Sequence, residues 1–307
     1  MTGRTYVLIS PARNEQATIE ITIKSVLAQT ILPREWIIVS DRSTDRTDDI
    51  VRQSAANHDF IRLVRIEGTP EHSFAAVVRA TETGVRSLTT TDYSYIGLLD
   101  ADVSFAPDYY ERLIGEFERD PELGLAGGLV LDVGTSRKRN IQNLNEIAGA
   151  TQFFTRKCFE VIGGLLAIPE GGWDAITCVR ARMNGFKTAT FPNIVMDHLK
   201  PRNVAKGNLF SRNWQLGVRD HALAAHPLFE IAKCCSRCLD SPPLLGALSR
   251  LTGFAWASVS GHNHALPADV AAFTRAEQLR RMRVFFKPLR HSPVAKSNNK
   301  AMSGPAD

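Results

Sequence analysis

The 307-residue chain has no cysteine framework. Its five cysteines, Cys158, Cys178, Cys234, Cys235 and Cys238, are odd in number. That argues against a disulfide-stapled scaffold and fits a reducing compartment. Cys234-Cys235-x-x-Cys238 is spaced like half a zinc site, but no second Cys or His pair follows at zinc-finger spacing. The stretch "FEIAKCCSRCL" reads as an amphipathic helix, so these cysteines are expected in a core or on a membrane-facing surface. The chain also lacks internal repeats and long low-complexity tracts.

Long apolar runs are missing too. The opening "MTGRTYVLISPARNE" has too short an apolar stretch for a signal peptide. The nearest approach to a membrane span is "PPLLGALSRLTGFAWASVSG" (242–261). It carries Pro242, Pro243, Arg250, several serines and three glycines. An interfacial or tightly packed helix is the better expectation. Neither common phosphate loop is present. The first strand is followed by "SPARNEQ" instead of G-x-G-x-x-G, and no Walker A sequence occurs. A diphosphate ligand would therefore need another source of positive charge. A hard divalent cation with oxygen ligands supplies one.

Charge is present but uneven. Residues 1–200 hold 22 Lys and Arg against 26 Asp and Glu, a net of −4, and residues 201–307 hold 15 against 6, a net of +9. A basic C-terminal third suits an anionic surface, phospholipid or nucleic acid, or is simply a solvated face. The aromatic-and-basic strand motif of RNA-binding sheets is absent, so no nucleic-acid partner is expected.

Hydrophobic patterning supplies the fold. Apolar runs at 6–10, 35–41, 61–67 and 93–100 read as buried strands. Helical spacing follows each, over 15–30, 43–56, 73–88 and 107–121. Four strand–helix alternations predict an α/β fold with a mostly parallel sheet flanked by helices. In such sheets ligands sit beyond the carboxyl ends of the strands. Three of those ends carry polar clusters, "SPARNE", "SDRSTD" and "DADV". Asp100 and Asp102, one residue apart after "IGLL", are either an ordinary strand exit or a divalent-metal site.

The residues resemble family 2 glycosyltransferases of the GT-A fold. Four segments carry the resemblance in order, over roughly residues 5–200: "LISPARNE", "WIIVSDRSTDRTDDIV", "LLDADV" and "GGWDAITCVRARMNGFKT". It implies a Rossmann-type, GT-A-like sheet with a helical C-terminal extension. It implies that Pro11, Arg13, Glu15, Asp41 and Asp100 bind a nucleotide-sugar, with Asp41 meeting the base. Asp102 would hold the metal, Mn²⁺ or Mg²⁺. "MDHLKPRN" resembles a later segment in which a histidine reaches the metal, which marks His198. Asp174 matches the general base, although its place before "AITCVRARM" also suits a helix cap. Ser40 and Arg42 depart from the D-D-G segment. Trp173 stands where an acidic residue is common, and could pack against a sugar face. Glu170 is an acidic neighbour of Asp174 in a Gly-rich loop that could close over acceptor.

The expected function is inverting, metal-dependent transfer of a sugar from a UDP- or GDP-type donor to a glycan or lipid-linked acceptor, in cell-envelope or exopolysaccharide biosynthesis. The competing readings are a nucleotidyltransferase, whose Gly-rich, Lys-bearing first loop is absent, and a non-catalytic GT-A-like binding protein, which the retained Asp100, Asp102 and Asp174 argue against. Residues 1–204 are expected to form the catalytic domain. Residues 205–290 are expected to form a basic helical extension suited to a membrane surface, and 291–307 a disordered tail. The expected location is cytoplasmic, peripheral on the inner face of the plasma membrane.

Overall fold

A computed structural model describes residues 3–68, 73–132, 144–200, 209–238 and 243–285. The chain begins with β1 (Tyr6–Ala12), α1 (Ile19–Leu27), β2 (Glu35–Asp41), α2 (Thr47–Ala55), β3 (Ile61–Ile66), α3 (Ala75–Arg86) and β4 (Tyr95–Leu98). The alternation is the one the apolar runs predict. The fourth strand is shorter than expected and stops before the aspartates. A short strand, β5 (Val103–Phe105), then precedes α4 (Tyr109–Arg119). Next come β6 (Leu123–Asp132), β7 (Phe153–Thr155), α5 (Arg156–Val161), α6 (Trp173–Met183) and β8 (Lys187–His198). The described chain closes with α7 (Leu209–Ala222), α8 (Pro227–Ser236), α9 (Leu245–Val259) and α10 (Ala268–Phe285). The tail expected over 291–307 lies outside the described residues.

All eight strands join one sheet in the order β3-β2-β1-β4-β7-β6-β8-β5. Strands β3, β2, β1 and β4 run parallel. β7 is antiparallel to both its neighbours, β6 and β8 are parallel, and β5 returns antiparallel on β8. The unbroken apolar character of β1 follows from its central place, since both faces are covered. Tyr6 and Leu8 pack into one core layer with Trp36 and Phe153. Val7 and Ile9 pack into the opposite layer with Ile37 and Ile96, the period-2 alternation of a strand.

α7 and α9 cross closely because each contributes a glycine at the contact. A Cβ on Gly217 would fall 2.0 Å from the Arg250 carbonyl, and one on Gly253 would fall 2.2 Å from the Trp214 carbonyl. Asp220, Glu230 and Arg250 are buried there. The Arg250 Nε–H lies 2.9 Å from both Asp220 Oδ2 and Glu230 Oε1, and Lys233 Nζ donates to Asp220 Oδ2 at 2.9 Å. α10 returns to the sheet domain, where Arg182 on α6 forms a two-pronged pair with Glu277 at 2.7 and 2.8 Å. Among the described residues, no helix is long and apolar enough to cross a membrane. All five cysteines are free; Cys158, Cys178 and Cys234 are buried, and Cys235 is exposed.

Candidate active site at the strand ends

The loops after β1 and β2 are laced together by polar side chains. Backbone N–H groups of Asn14, Glu15 and Gln16 donate to Ser43 Oγ at 3.2 Å, Thr47 Oγ1 at 2.7 Å and Asp45 Oδ2 at 3.1 Å. Thr44 N–H donates back to Asn14 Oδ1 at 2.8 Å. This is why two segments that look like separate motifs in the sequence act as one rim. Pro11 and Arg13 lie on it, both partly exposed.

Asp41 ends β2 and is buried. The Arg42 guanidinium holds it, with Nε donating to Asp41 Oδ1 at 2.6 Å. Arg42 has φ of 56°, the left-handed region that favours glycine. Here arginine stands where the D-D-G segment has glycine, in a backbone conformation that glycine adopts without strain. Ser40 is fully buried and its hydroxyl has no hydrogen-bond partner.

The aspartate pair sits in the turn between β4 and β5. Leu99 N–H donates to the Ile9 carbonyl at 3.0 Å, which holds the start of that turn on β1. Thr22 Oγ1 then clamps Val103, accepting from its N–H at 3.1 Å and donating to its carbonyl at 2.9 Å. The antiparallel pairing of β5 with β8 sets Val103 opposite His198, and Leu199 N–H donates to the Asp102 carbonyl at 2.8 Å. His198 Nε2 consequently lies 3.4 Å from Asp102 Oδ1 and 3.9 Å from Asp100 Oδ2. One ligand atom from each of these three residues falls within 4.8 Å of the others.

The tautomer of His198 follows from its other nitrogen. Nδ1 is hydrogen-bonded to the Lys200 carbonyl. A carbonyl only accepts, so Nδ1 carries the proton, and in the neutral ring Nε2 presents a bare lone pair to the two carboxylates. Three acceptors aimed at one point repel one another unless a cation lies between them. Two carboxylate oxygens and an imidazole nitrogen suit a divalent ion such as Mn²⁺, so the donor set fits a metal. Asp100 is pushed up to about 7, first by desolvation at the crowded strand end and then by repulsion from Asp102. Its side chain stays 38% exposed, so water screens part of that effect.

Sequence reasoning missed Lys200, which stands two residues beyond His198. Its ammonium pairs with Glu15 Oε2, an oxygen that also accepts from Thr18 Oγ1 at 2.7 Å. Glu15 is thereby linked, through Lys200, to the group formed by Asp100, Asp102 and His198.

Asp174 lies in the first turn of α6, after Gly172. It is not the cap residue itself, though its Oδ1 accepts from the Ala175 N–H at 2.9 Å. Gln152 Nε2 holds the Asp174 carbonyl at 2.9 Å. Burial raises the Asp174 pKa, outweighing the backbone hydrogen bonds to its carboxylate and the nearby Arg219 guanidinium on α7, which act to lower it. Arg219 is the second residue that sequence reasoning missed. Trp173 packs its ring over Gly149, where a Cβ would meet it at 2.6 Å. Glu170 is held by His262, with Oε1 3.2 Å from Nε2. The structure thus groups Asp100, Asp102 and His198, links Glu15 to them through Lys200, and leaves Asp41 apart, paired with Arg42.

The mixed eight-stranded sheet, with a D-x-D turn and a facing histidine at its strand ends, has the GT-A fold of its structural neighbours. The profile of glycosyl transferase family 2 matches residues 7–161, half of the chain, and the chain belongs to that family. It is similar to poly-beta-1,6-N-acetyl-D-glucosamine synthases: 31% identical over 115 residues to the protein of Staphylococcus epidermidis, and 32% over 126 residues to that of Staphylococcus aureus strain COL. These alignments cover 38% and 41% of this chain but only 26% and 28% of the relatives, so the chain matches about a quarter of their length. In fold it is similar to the mannosyltransferase PcManGT from Pyrobaculum calidifontis in complex with GDP-Man and Mn²⁺, with a TM-score of 0.55 at 20% identity over 94% of this chain and 82% of that one. It is also similar to S. aureus TarS 1-349 in complex with UDP-GlcNAc, with a TM-score of 0.52 at 12% identity over 69% and 64%.

Proposed function

We propose that the chain is an inverting, metal-dependent glycosyltransferase. It takes a sugar from a UDP- or GDP-linked donor and passes it to a glycan or lipid-linked acceptor in cell-envelope or exopolysaccharide assembly. The observation that carries this reading is the convergence of Asp100, Asp102 and the bare Nε2 of His198 on one point beside the strand ends.

Asp102 and His198 would hold the cation, Mn²⁺ or Mg²⁺, and Asp100 would contact ribose or sugar. A bound divalent ion neutralises charge on the departing diphosphate. Pro11, Arg13 and Glu15 line the nucleotide pocket, and Asp41 reads the base. Asp174 accepts the proton from the acceptor hydroxyl as its oxygen attacks the anomeric carbon. The new C–O bond forms on one face while the bond to the diphosphate breaks on the other, and the diphosphate leaves with that electron pair. Burial of Asp174 supports the role, because a base whose pKa is raised toward neutrality takes a proton more readily. Arg219 opposes that rise and so favours the ionised carboxylate.

The net positive charge of the C-terminal third supports a peripheral position of the enzyme on the cytoplasmic face of the plasma membrane. The test is release of nucleoside diphosphate from UDP- and GDP-sugars with Mn²⁺, in wild type and Asp174→Asn. Release by wild type that falls at least ~100-fold in the variant supports the reading. Equal release by both removes Asp174 from the mechanism. No release from any donor counts against glycosyl transfer.

A further inference from the structure

The turn that leads into Asp174 has little backbone preference of its own. Gly171 and Gly172 stand side by side at φ of 86° and 87°, and α6 starts directly after them. Glycine loses more conformational freedom on ordering than any other residue, so this turn needs holding from outside. Packing supplies part of the hold. A Cβ on Gly171 would fall 3.1 Å from the Phe74 ring, and one on Gly172 would fall 2.7 Å from Leu223 Cδ1, just past α7. Ile168, whose carbonyl accepts from the Gly171 N–H at 3.0 Å, is fully buried with Ile176 of α6 and with Ala224, Leu266 and Val270 from the C-terminal region.

Between Ile168 and the glycines stands Glu170. Its Oε1 lies 3.2 Å from His262 Nε2, and its Oε2 is buried with no hydrogen-bond partner. A carboxylate only accepts, so His262 Nε2 carries the proton. His262 lies in the connection between α9 and α10, and that connection is itself pinned. Ala265 N–H donates to the Ala222 carbonyl at 2.8 Å, and His264 Nδ1 donates to the His221 carbonyl at 2.8 Å. Both acceptors belong to the last turn of α7, the helix that also carries Arg219 near Asp174. The same helix therefore supports the turn from two sides, through Arg219 at Asp174 and through the pinned connection at Glu170.

We infer that His262 is a positioning residue for the base. It fixes Glu170, Glu170 fixes the Gly171–Gly172 turn, and the turn sets where α6 presents the Asp174 carboxylate. This rests on the role proposed above for Asp174 and deepens it, because it makes the helices beyond residue 205 part of the transfer apparatus. Asp100, Asp102 and His198 lie outside this chain of contacts, so donor binding should not depend on it.

Two readouts on the full chain test this. In His262→Ala, amide hydrogen exchange over residues 168–176 should speed up at least ~10-fold, the effect of losing one hydrogen bond to a charged group. The kcat for release of nucleoside diphosphate, from whichever UDP- or GDP-sugar wild type uses with Mn²⁺, should fall at least ~10-fold, since a small misplacement of a reacting group is costly. Nucleotide affinity with Mn²⁺ should be unchanged, which certifies folding. His262→Gln, whose amide puts an N–H where the imidazole had one, should restore both readouts. Glu170→Ala should reproduce the losses, and the double variant should be no slower than the slower single, because the two residues act as one unit. The proposal is overturned if His262→Ala leaves exchange over 168–176 unchanged, if exchange rises with kcat intact, or if the two losses multiply in the double variant. A wild type that releases no nucleoside diphosphate is a distinct result. It removes the transfer reaction and with it the catalytic half of this inference, while the exchange measurement still decides whether His262 holds the turn.

Discussion

His198 Nε2 lies 3.4 Å from Asp102 Oδ1, brought there by the pairing of β5 with the end of β8. Removing the imidazole takes away one of the two residues proposed to hold the metal, and the partner of the Lys200 carbonyl. His198→Ala is expected to weaken metal-supported nucleotide binding at least ~10-fold, by the scale at which metal-site residues act. Binding measured without metal should change little. Electron paramagnetic resonance of Mn²⁺ bound to wild type and variant checks the ligand directly.

The proposed base gives a pH signature. As a base Asp174 would act only when ionised, and its pKa is raised by burial. Turnover should therefore fall as pH drops through that raised value, with an acid limb above the ~4 of an ordinary carboxylate. Arg219→Gln removes an influence that lowers the Asp174 pKa, so the limb should move to higher pH while turnover on the alkaline plateau is kept. A profile of kcat against pH in both proteins decides it. An unmoved limb would separate Arg219 from the base.

Much of this was legible in the sequence, and what was not has a common cause. β1 to β4 and their helices show as apolar runs and helical spacing because each pattern is local. Asp100 and Asp102 stand out where an apolar run ends. Val103–Phe105 was invisible as a strand, since three residues carry no period. Its partner on β8 is also remote in sequence. His198 was found only through a resemblance. Lys200 and Arg219 were not found at all, because their relevance depends on which loop folds against Glu15 and which helix folds against Asp174.

Arg42 occupies a glycine conformation and neutralises Asp41. Arg42→Gly keeps the backbone shape and frees the carboxylate. If Asp41 reads the base, the preference between UDP and GDP should shift by at least ~10-fold, the effect of about one charge-assisted hydrogen bond. Competition titrations of the two nucleotides against wild type and variant measure it, and an unchanged ratio would remove Asp41 from base recognition.

Arg250 stands between Asp220 and Glu230 in the C-terminal helices, all three buried. Arg250→Met leaves two carboxylates without their guanidinium. The expected loss is about 3–5 kcal/mol of unfolding free energy, read from urea denaturation followed by circular dichroism. Asp220→Asn with Arg250→Met should recover part of it, because one stranded charge is removed with the cation.

The proposed function stands or falls on a metal-dependent donor site at Asp100, Asp102 and His198. Calorimetric titration of UDP and GDP, each with and without Mn²⁺, into wild type and Asp102→Ala tests it most directly. Wild type is expected to bind one nucleotide in a manganese-dependent way, and the variant to lose that dependence. Failure of folded wild type to bind either nucleotide with Mn²⁺, or binding that Asp102→Ala leaves intact, would contradict it.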